Sequence, residues 1–256
     1  MVKLSVVIIT HNEERNIERC LASLSGIADE VVVVDSGSTD GTESICRQHG
    51  AHFVRHDWEG FSNQKNFAET LATGDWVLSL DADEQVGEAL SDSLKKLLTD
   101  GPHEGEVYSM NRLTNFCGSW IHHCGWYPDR KIRLFNRTKK QWTGTIHEIL
   151  ADTAEPTETQ LLVGDLHHYS YHTVEDHIRQ ADKFTTLTAQ EAYDKGKKAS
   201  VAAIVFRPRW KFFRDYIFKG GFLDGYAGYQ VCKISAFATF LKYSKLRMLH
   251  KNNKNQ

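Results

Sequence analysis

The first 80 residues alternate short apolar runs with helical patterns, and this alternation limits the possible folds more than any other feature. Leu4 to Ile9 and Val31 to Val34 are runs of β-branched and aliphatic residues typical of buried strands. Seven segments follow the alternation: strands at 4–9, 31–34, 52–55 and 75–80, and helices at 17–24, 42–49 and 62–72. Strands that alternate with helices predict an α/β fold with a mixed, mainly parallel sheet flanked by helices.

The regular alternation ends near Asn111, and the rest of the chain has a different composition. Aromatic, histidine and basic residues concentrate in residues 116–172, and residues 173–195 have a helical pattern. We therefore predict three regions, 1–115, 116–172 and 173–256, of which the last is a helical C-terminal extension. No apolar stretch reaches the roughly 20 residues that cross a bilayer, and no cleavage site follows the N-terminal apolar run, so we expect neither a membrane span nor a signal peptide.

Polar residues stand directly after three of the predicted strands. Thr10 ends the first strand, Asp35 ends the second, and Asp81-Ala82-Asp83 ends the fourth. In an open α/β sheet, ligands bind beyond the carboxyl ends of the strands. Two carboxylates two residues apart in extended chain point the same way, and hard oxygen ligands suit Mg²⁺ or Mn²⁺ shared with phosphates. The alternative is a solvated turn in which Asp83 caps the next helix.

Asp35 closes a run of four valines and precedes Ser36-Gly37-Ser38. An aspartate in this position is often a turn former or helix cap. Its carboxylate can also accept a hydrogen bond from the imide N–H of uracil, and the following hydroxyl and backbone N–H groups can bind ribose or phosphate. Both interpretations stay open from the sequence.

Three segments together, Val6–Glu13, Val34–Gly41 and Asp75–Glu84, resemble the family 2 glycosyltransferases of the GT-A (Rossmann-like) fold, and they occur in the family's order. The resemblance covers about the first 115 residues well. Later segments are similar to the bacterial branch that glucosylates the inner core of lipopolysaccharide, and these are residues 130–135, 142–148, 168–171 and 221–225.

The resemblance implies an inverting, metal-dependent transfer of a hexose, most simply glucose, from a UDP-sugar to a heptose of the lipopolysaccharide inner core. Residues 1–115 would bind the nucleotide sugar, and residues 116–172 would bind the acceptor and carry the catalytic base. By the same resemblance, the donor residues are Thr10 and Glu13 at the nucleoside, Asp35 at uracil, and Asp81 with Asp83 at ribose, Mg²⁺ or Mn²⁺, and diphosphate.

Three basic residues are further candidates for the donor site. Lys65 stands where relatives often carry a basic residue near the donor, although a solvated helix lysine is the alternative. Arg130 and Arg133 fall in one predicted strand, where we expect them to face the same side and to clamp diphosphate or acceptor phosphates. A surface salt-bridge role is the alternative for both arginines.

A single displacement requires one carboxylate as base at the acceptor hydroxyl. Glu148 aligns with the acidic pair that supplies the base in relatives, and Asp129 is the competing candidate. The resemblance also suggests His168 as a metal ligand beside Asp83 and Asp81. Because His167 is adjacent, the identity of that ligand is open, and a structural histidine is the simpler alternative.

The segment Arg207–Arg214 interleaves cations with large aromatic residues, which suits the headgroup layer of an anionic membrane. A helix that packs its aromatic side chains on the core is the alternative.

Five cysteines, odd in number and without zinc-type spacing, are typical of reduced thiols, and a metal or disulfide pair of Cys117 and Cys124 is the alternative. We therefore expect a cytoplasmic protein, peripheral on the cytoplasmic face of the bacterial inner membrane, where it meets the lipopolysaccharide core and lipid A acceptor.

Other functions fit the sequence less well. Transfer to a polyprenyl phosphate would use the same donor site with a different acceptor half. A membrane-associated scaffold without activity would have no use for Asp35, Asp81, Asp83 and Glu148. The near-neutral net charge of -2 and the absence of a recognised nucleic-acid motif give no reason to expect nucleic-acid binding.

Overall fold

The computed structural model describes residues 2–103, 105–144, 148–153 and 155–252. The chain divides into two compact units. The first unit contains Met1–Arg112 and Asp129–His168, and the second contains Leu113–Pro128 and Tyr169–Gln256. The functional regions that we predicted, with boundaries after residues 115 and 172, stay a prediction.

The N-terminal part of the first unit folds as the alternating pattern predicts. Its elements are β1 (Leu4–Thr10), α1 (Ile17–Ala22), β2 (Glu30–Asp35), α2 (Thr42–Gln48), β3 (His52–Arg55), α3 (Phe61–Leu71) and β4 (Trp76–Asp81). The four strands pair in parallel in the order β3, β2, β1, β4. The predicted boundaries agree with the observed ones to within two residues.

The sheet continues beyond β4 with antiparallel neighbours. The later elements are β5 (Glu84–Val86), α4 (Glu88–Asp100), β6 (Glu106–Phe116), β7 (Ser119–Ile121), β8 (Asp129–Asn136), β9 (Lys140–Thr143), β10 (Ile149–Asp152) and β11 (Glu158–Tyr171). Strands β8, β6, β11 and β5 extend the sheet from β4, β7 pairs with β6, and β9 forms a separate hairpin with β10. The predicted fold class, a mixed sheet flanked by helices with a helical C-terminal extension, is confirmed.

The central strands contribute side chains to two hydrophobic cores. Val6 and Ile8 of β1 belong to one core, whereas Val7 between them belongs to the other. All three side chains are at most 1% exposed. A strand that is buried on both faces requires a continuous apolar run rather than an alternating one, which explains the sequence of β1 and β2. Polar residues begin where each run ends, at the edge of the core.

The second unit contains the C-terminal helices. They are α5 (Val174–Asp194), α6 (Val201–Phe213), a π-helical turn (Arg214–Phe218), a 3₁₀ turn (Gly221–Asp224) and α7 (Gly225–Asn252). Helix α7 packs against both α5 and α6. A Cβ atom on Gly228 would lie 2.0 Å from the carbonyl oxygen of Gly221, so this approach requires glycine. Among the described residues, no helix has the length and apolarity to span a membrane. The five cysteines are free in this structure.

Candidate active site

Three predicted site residues lie at the ends of neighbouring parallel strands. Thr10 is opposite Asp35 in the β1–β2 ladder, and Ile9 is opposite Asp81 in the β1–β4 ladder. Parallel strands bring their carboxyl ends to the same edge of a sheet. The prediction that these three turns share one edge is therefore confirmed.

The side chain of Asp35 is held by the turn that follows β2. Its Oδ2 atom accepts hydrogen bonds from the backbone N–H groups of Gly37 at 2.9 Å and Ser38 at 2.8 Å, and the Ser38 hydroxyl donates to Oδ1. Asp35 is fully buried. The turn-forming role that we considered for Asp35 is therefore observed. Because a carboxylate has about four acceptor sites, this arrangement leaves acceptor capacity on Oδ1.

Two polar residues at and just after the end of β1, Thr10 and Glu13, are in unusual environments. Within the described part of the chain, the buried Oγ1 atom of Thr10 has no hydrogen-bond partner. Burial raises the pKa of Glu13 to about 7, and the charge of Asp83 adds to this effect, against a 2.8 Å hydrogen bond from Asn16. An unpartnered buried hydroxyl costs free energy, so a ligand that bonds to Thr10 would relieve that cost.

Asp81 lies between two cations. Its Oδ1 atom is 3.1 Å from Lys65 Nζ, and its Oδ2 atom is 2.5 Å from Arg133 Nη2. The side chains of Lys65 and Arg133 are almost completely buried, at 3% and 4% exposed. Burial alone would raise the pKa of Asp81, but the charges of Arg133 and Lys65 outweigh it and lower the pKa well below its usual range. Asp81 is therefore ionised, and both of its oxygens are engaged by the protein.

A second carboxylate, Glu84, lies at the centre of a buried ion-pair chain. Arg133 Nη2 is 2.5 Å from Glu84 Oε1, and Arg112 Nη1 is 3.4 Å from the same oxygen. Arg112 also pairs with Asp129 at 2.7 Å. The other oxygen of Glu84 accepts a 3.0 Å hydrogen bond from the backbone N–H of Asp81. Charge compensation therefore extends from the Asp81-Ala82-Asp83 segment, hereafter the triplet, across β5, β6 and β8.

The sequence did not identify Glu84 or Arg112 as site residues. Glu84 follows the triplet directly, and Arg112 is opposite Asp129 in the antiparallel β6–β8 ladder. An opposite-charge pair across two strands is a recognisable signal, but it becomes visible only when the pairing of those strands is known.

Lys65 connects the triplet to the candidate base. Its Nζ atom is 3.0 Å from Glu148 Oε1 and 4.6 Å from the centroid of the Trp142 ring. The alternative that Lys65 is a solvated helix lysine is wrong, because the residue is buried and forms ion pairs with two carboxylates. His147, which precedes Glu148, lies outside the described residues.

The competing base Asp129 has a different environment. Burial would raise its pKa, but Arg112 and Lys131, the latter at 3.0 Å, lower it. A lower pKa makes a carboxylate a weaker base. The two candidates are also held differently, since among the described residues Glu148 pairs with one cation and Asp129 with two.

His168 of β11 lies beside Asp83, the residue that precedes β5. The Nε2 atom of His168 lies 3.2 Å from Asp83 Oδ2. His167 alternates to the other face of β11, where its ring packs near Gly87, and burial lowers its pKa. The structure therefore distinguishes the two histidines, because His168 is the one beside the triplet.

The residues around the triplet fit a divalent cation that is shared with a substrate. Asp83 offers a hard oxygen and His168 an imidazole nitrogen, both suited to Mn²⁺ or Mg²⁺. Within the described ranges, no group of three or more His, Cys, Asp or Glu side chains is arranged to hold a metal alone. Such a pair matches ions that are completed by water and substrate phosphates rather than enclosed by protein.

The expectation that Arg130 and Arg133 face the same side is wrong. The two residues are three positions apart in β8, and side chains in a strand alternate with a period of two. Arg133 is 4% exposed and contacts Asp81, whereas Arg130 is exposed and lies opposite Asn111 of β6. The two arginines therefore do not form a common clamp, and Arg133 is a buried ion-pair partner of the triplet.

The family model for glycosyl transferase family 2 matches residues 5–162 of the chain. The match spans the strand ends, the triplet, Lys65 and Glu148. The chain belongs to glycosyl transferase family 2. The predicted family and enzyme class are thereby confirmed: the protein is a glycosyltransferase.

Two relatives align over almost the whole of this glycosyltransferase. An uncharacterized glycosyltransferase of Rickettsia typhi is 31% identical over 100% of this chain and 90% of its own length. The lipopolysaccharide core biosynthesis glycosyltransferase LpsC of Rhizobium meliloti is 29% identical over 96% of this chain and 93% of its own length.

One solved structure resembles the fold along nearly its whole length. The mannosyltransferase PcManGT from Pyrobaculum calidifontis, in complex with GDP-Man and Mn²⁺, has a TM-score of 0.54. It is 18% identical and covers 95% of this chain and 86% of its own. This similarity agrees with the predicted GT-A fold and its C-terminal extension.

Proposed function

We propose that this family 2 glycosyltransferase is an inverting, metal-dependent enzyme that transfers a hexose, specifically glucose, from a UDP-sugar to a heptose of the lipopolysaccharide inner core. The observation that carries the proposal is that two pairs of polar side chains lie next to Asp81. One is Asp83 with His168, 3.2 Å apart, and the other is Lys65 with Glu148, 3.0 Å apart. The first pair suits a diphosphate and its cation, and the second suits an acceptor hydroxyl.

On the donor side, Thr10, Glu13 and Asp35 bind the nucleoside of the UDP-sugar. The unpartnered hydroxyl of Thr10 and the remaining acceptor capacity of Asp35 support this assignment. Asp83 and His168 would hold Mg²⁺ or Mn²⁺, and Asp81 contributes negative charge next to them. Such a cation would supply positive charge for the leaving diphosphate.

On the acceptor side, Glu148 receives the proton of the attacking hydroxyl. The buried Lys65 positions it by an ion pair, so that the carboxylate is fixed before the acceptor arrives. Arg133 and Arg112 hold Glu84 and Asp129 in the surrounding chain of charges. Arg133 contacts Asp81 and thereby positions this donor-site carboxylate. Residues 116–172 contribute the acceptor surface.

The choice of acceptor rests on the relative LpsC, whose name assigns it to lipopolysaccharide core biosynthesis. A donor screen against truncated core oligosaccharides, read by mass spectrometry, tests the proposal. We expect a mass increase of one hexose with UDP-glucose and Mn²⁺ or Mg²⁺ on an acceptor that retains its inner-core heptose. Transfer to a polyprenyl phosphate instead would contradict the assigned acceptor while keeping the donor site.

We also propose that the enzyme binds the cytoplasmic surface of the inner membrane through its second unit. Large aromatic side chains on α6 and the π-helical turn are exposed, among them Phe206 at 68%, Trp210 at 56% and Phe218 at 68%. Arg209 lies among them and is exposed. Exposed aromatic and basic residues together suit an anionic lipid surface. Co-sedimentation with anionic vesicles that weakens as salt rises would support this proposal, whereas no co-sedimentation would contradict it.

A further inference from the structure

An apolar groove in the second unit lies between α6 and α7, and nothing in the proposed donor or acceptor chemistry uses it. Its volume is about 670 Å³, a size at which pockets typically bind small ligands. Eight of its ten lining side chains are apolar, among them Ile204, Val205 and Phe212 from α6, and Ala236, Phe237 and Phe240 from α7. Such a surface binds a hydrocarbon chain rather than a sugar or a nucleotide.

Two cations, Arg209 and Lys233, also line the groove. In the part of the chain that the structure describes, neither forms an ion pair with a carboxylate. Arg209 donates a 2.6 Å hydrogen bond to the carbonyl of Val205, and Lys233 Nζ lies 4.6 Å from the ring centroid of Phe212. Their positive charges are therefore available to a ligand that is apolar at one end and anionic at the other.

The surrounding helices strengthen this charge. Between Val201 and Asn252 the chain has two acidic residues, Asp215 and Asp224, but ten basic ones: Arg207, Arg209, Lys211, Arg214, Lys219, Lys233, Lys242, Lys245, Arg247 and Lys251. Asp215 is buried between Lys211 at 2.5 Å and Arg214 at 2.8 Å. Asp224 is paired with His123 at 2.7 Å. Both carboxylates are thus already engaged, and of the ten cations Lys245 is paired with Asp182 of α5. The segment therefore keeps a net positive charge, which favours an anionic occupant.

The exposed aromatic side chains near the groove indicate where the ligand comes from. Phe213 lines the groove and is 48% exposed, and its ring lies 6.2 Å from that of Trp210 and 5.4 Å from that of Phe218. Aromatic side chains are enriched at the interface between lipid and water. A groove that opens among them can take an acyl chain directly from a bilayer.

We propose that this groove binds one acyl chain of an anionic phospholipid, with the phosphate of that lipid at Arg209 and Lys233. The inference rests on the proposed membrane association and goes beyond it, because general adsorption to a membrane requires no cavity. It assigns a lipid-binding site that is separate from the transfer chemistry.

Two matched tryptophan variants test the groove. Val205 lines the groove, whereas Val201, one turn earlier on α6, is 58% exposed and does not. Val205→Trp fills the groove while adding apolar surface, and Val201→Trp adds the same surface outside it. Nonspecific adsorption of the protein to membranes would increase in both variants. Binding of an acyl chain in the groove would decrease only in Val205→Trp.

The probe is a phosphatidylglycerol with a photoreactive diazirine at the end of one acyl chain, in vesicles of phosphatidylglycerol and phosphatidylcholine. The full chain is irradiated, adducts are mapped by peptide mass spectrometry, and vesicle co-sedimentation is measured in parallel. In the unmodified protein we expect adducts on residues 204–213 and 233–240. Val205→Trp should reduce them by about tenfold, because the indole occupies the space of the acyl chain, and Val201→Trp should retain them.

A charge-matched pair of double variants tests the phosphate contact. Replacing Arg209 and Lys233 by glutamate should remove the groove adducts, whereas replacing the exposed Lys197 and Lys198 by glutamate, with the same change in net charge, should retain most of them. Equal labelling of Val205→Trp and Val201→Trp, or adducts spread over other exposed aromatic residues, would overturn the inference. If the protein sediments with vesicles but the groove stays unlabelled, the groove assignment fails and membrane association stands; if nothing sediments, both fail.

Discussion

The ammonium group of Lys65 lies 3.0 Å from the carboxylate of Glu148, although 83 residues separate them. The same Nζ atom is 3.1 Å from Asp81. One buried cation therefore joins the triplet, on the proposed donor side, to the proposed base, on the proposed acceptor side. Because Lys65 is on helix α3, a shift of this helix would move Asp81 and Glu148 relative to each other.

Removing this cation should reduce both stability and turnover. We expect Lys65→Met to lower the free energy of unfolding by about 2 kcal/mol, because two partly exposed carboxylates lose a buried cationic partner, although Asp81 keeps Arg133. Turnover should fall with it, since Glu148 is no longer positioned. Urea denaturation and steady-state rates measure the two effects. Lys96→Met, at an exposed lysine of α4, is the control and should change stability by less than about 0.5 kcal/mol. Equal stabilities of the two variants would contradict the buried ion pair.

The choice of base makes a separate prediction. Glu148→Gln should keep UDP-sugar affinity but lose turnover by about 10²-fold or more, because the amide cannot accept the proton of the acceptor hydroxyl. Asp129→Asn is the matched variant, and it should retain much more activity. Donor titration and single-turnover rates distinguish binding from chemistry. Near-normal turnover of Glu148→Gln with a large loss in Asp129→Asn would transfer the role to Asp129.

The sequence predicted the parallel half of the fold well, because each of its signals is local. Buried strands such as β1 appear as unbroken apolar runs, and the residues that end them meet at one edge by the geometry of parallel strands. These two signals are sufficient to place Thr10, Asp35 and Asp81 together from the sequence alone. Family resemblance added the roles of those residues.

The antiparallel half could not be predicted in the same way. The pairing of β6 with β8, which brings Arg112 to Asp129, joins segments whose register no local pattern specifies. The ion pair of Lys65 with Glu148 depends on tertiary packing for the same reason. The error over Arg130 and Arg133 was different, since the period of a strand already places residues three apart on opposite faces.

Glu84 should be important for stability as well as for the site. Its side chain is fully buried and pairs with Arg133 and Arg112. We expect Glu84→Gln to destabilise the protein by about 3 kcal/mol, because within the described part of the chain Arg133 then keeps only Asp81 as a charged partner. Asp92→Asn, at an exposed position of α4, is the control, and denaturant titration measures both. Similar small effects of the two substitutions would show that the buried charges contribute little.

Glu69 should make stability depend on pH. Burial raises its pKa to about 7, despite a 2.7 Å hydrogen bond from Trp142 Nε1. The folded state therefore retains a proton that the unfolded state releases above its lower pKa, which is about 4.3. This contribution is full at low pH and is lost as pH rises through about 7.

Replacing Glu69 by glutamine removes this titration and keeps a hydrogen-bond acceptor for Trp142. The stability of Glu69→Gln relative to the unmodified protein should therefore increase between pH 5 and pH 8, by up to about 3 kcal/mol. Denaturation at a series of pH values measures the difference, in which the other titrating groups cancel. Parallel pH profiles for the two proteins would show that Glu69 is ionised throughout the range.

The most direct test of the central claim is the affinity for UDP-glucose, with and without Mn²⁺, of the unmodified protein and of Asp83→Ala. Isothermal titration calorimetry gives both constants, and circular dichroism verifies that the variant is folded. We predict that Mn²⁺ strengthens binding by about tenfold or more in the unmodified protein, and that Asp83→Ala loses this increase. If the unmodified protein bound no UDP-sugar, or if Asp83→Ala bound it with the same affinity and the same response to Mn²⁺, the account of the donor site would be wrong.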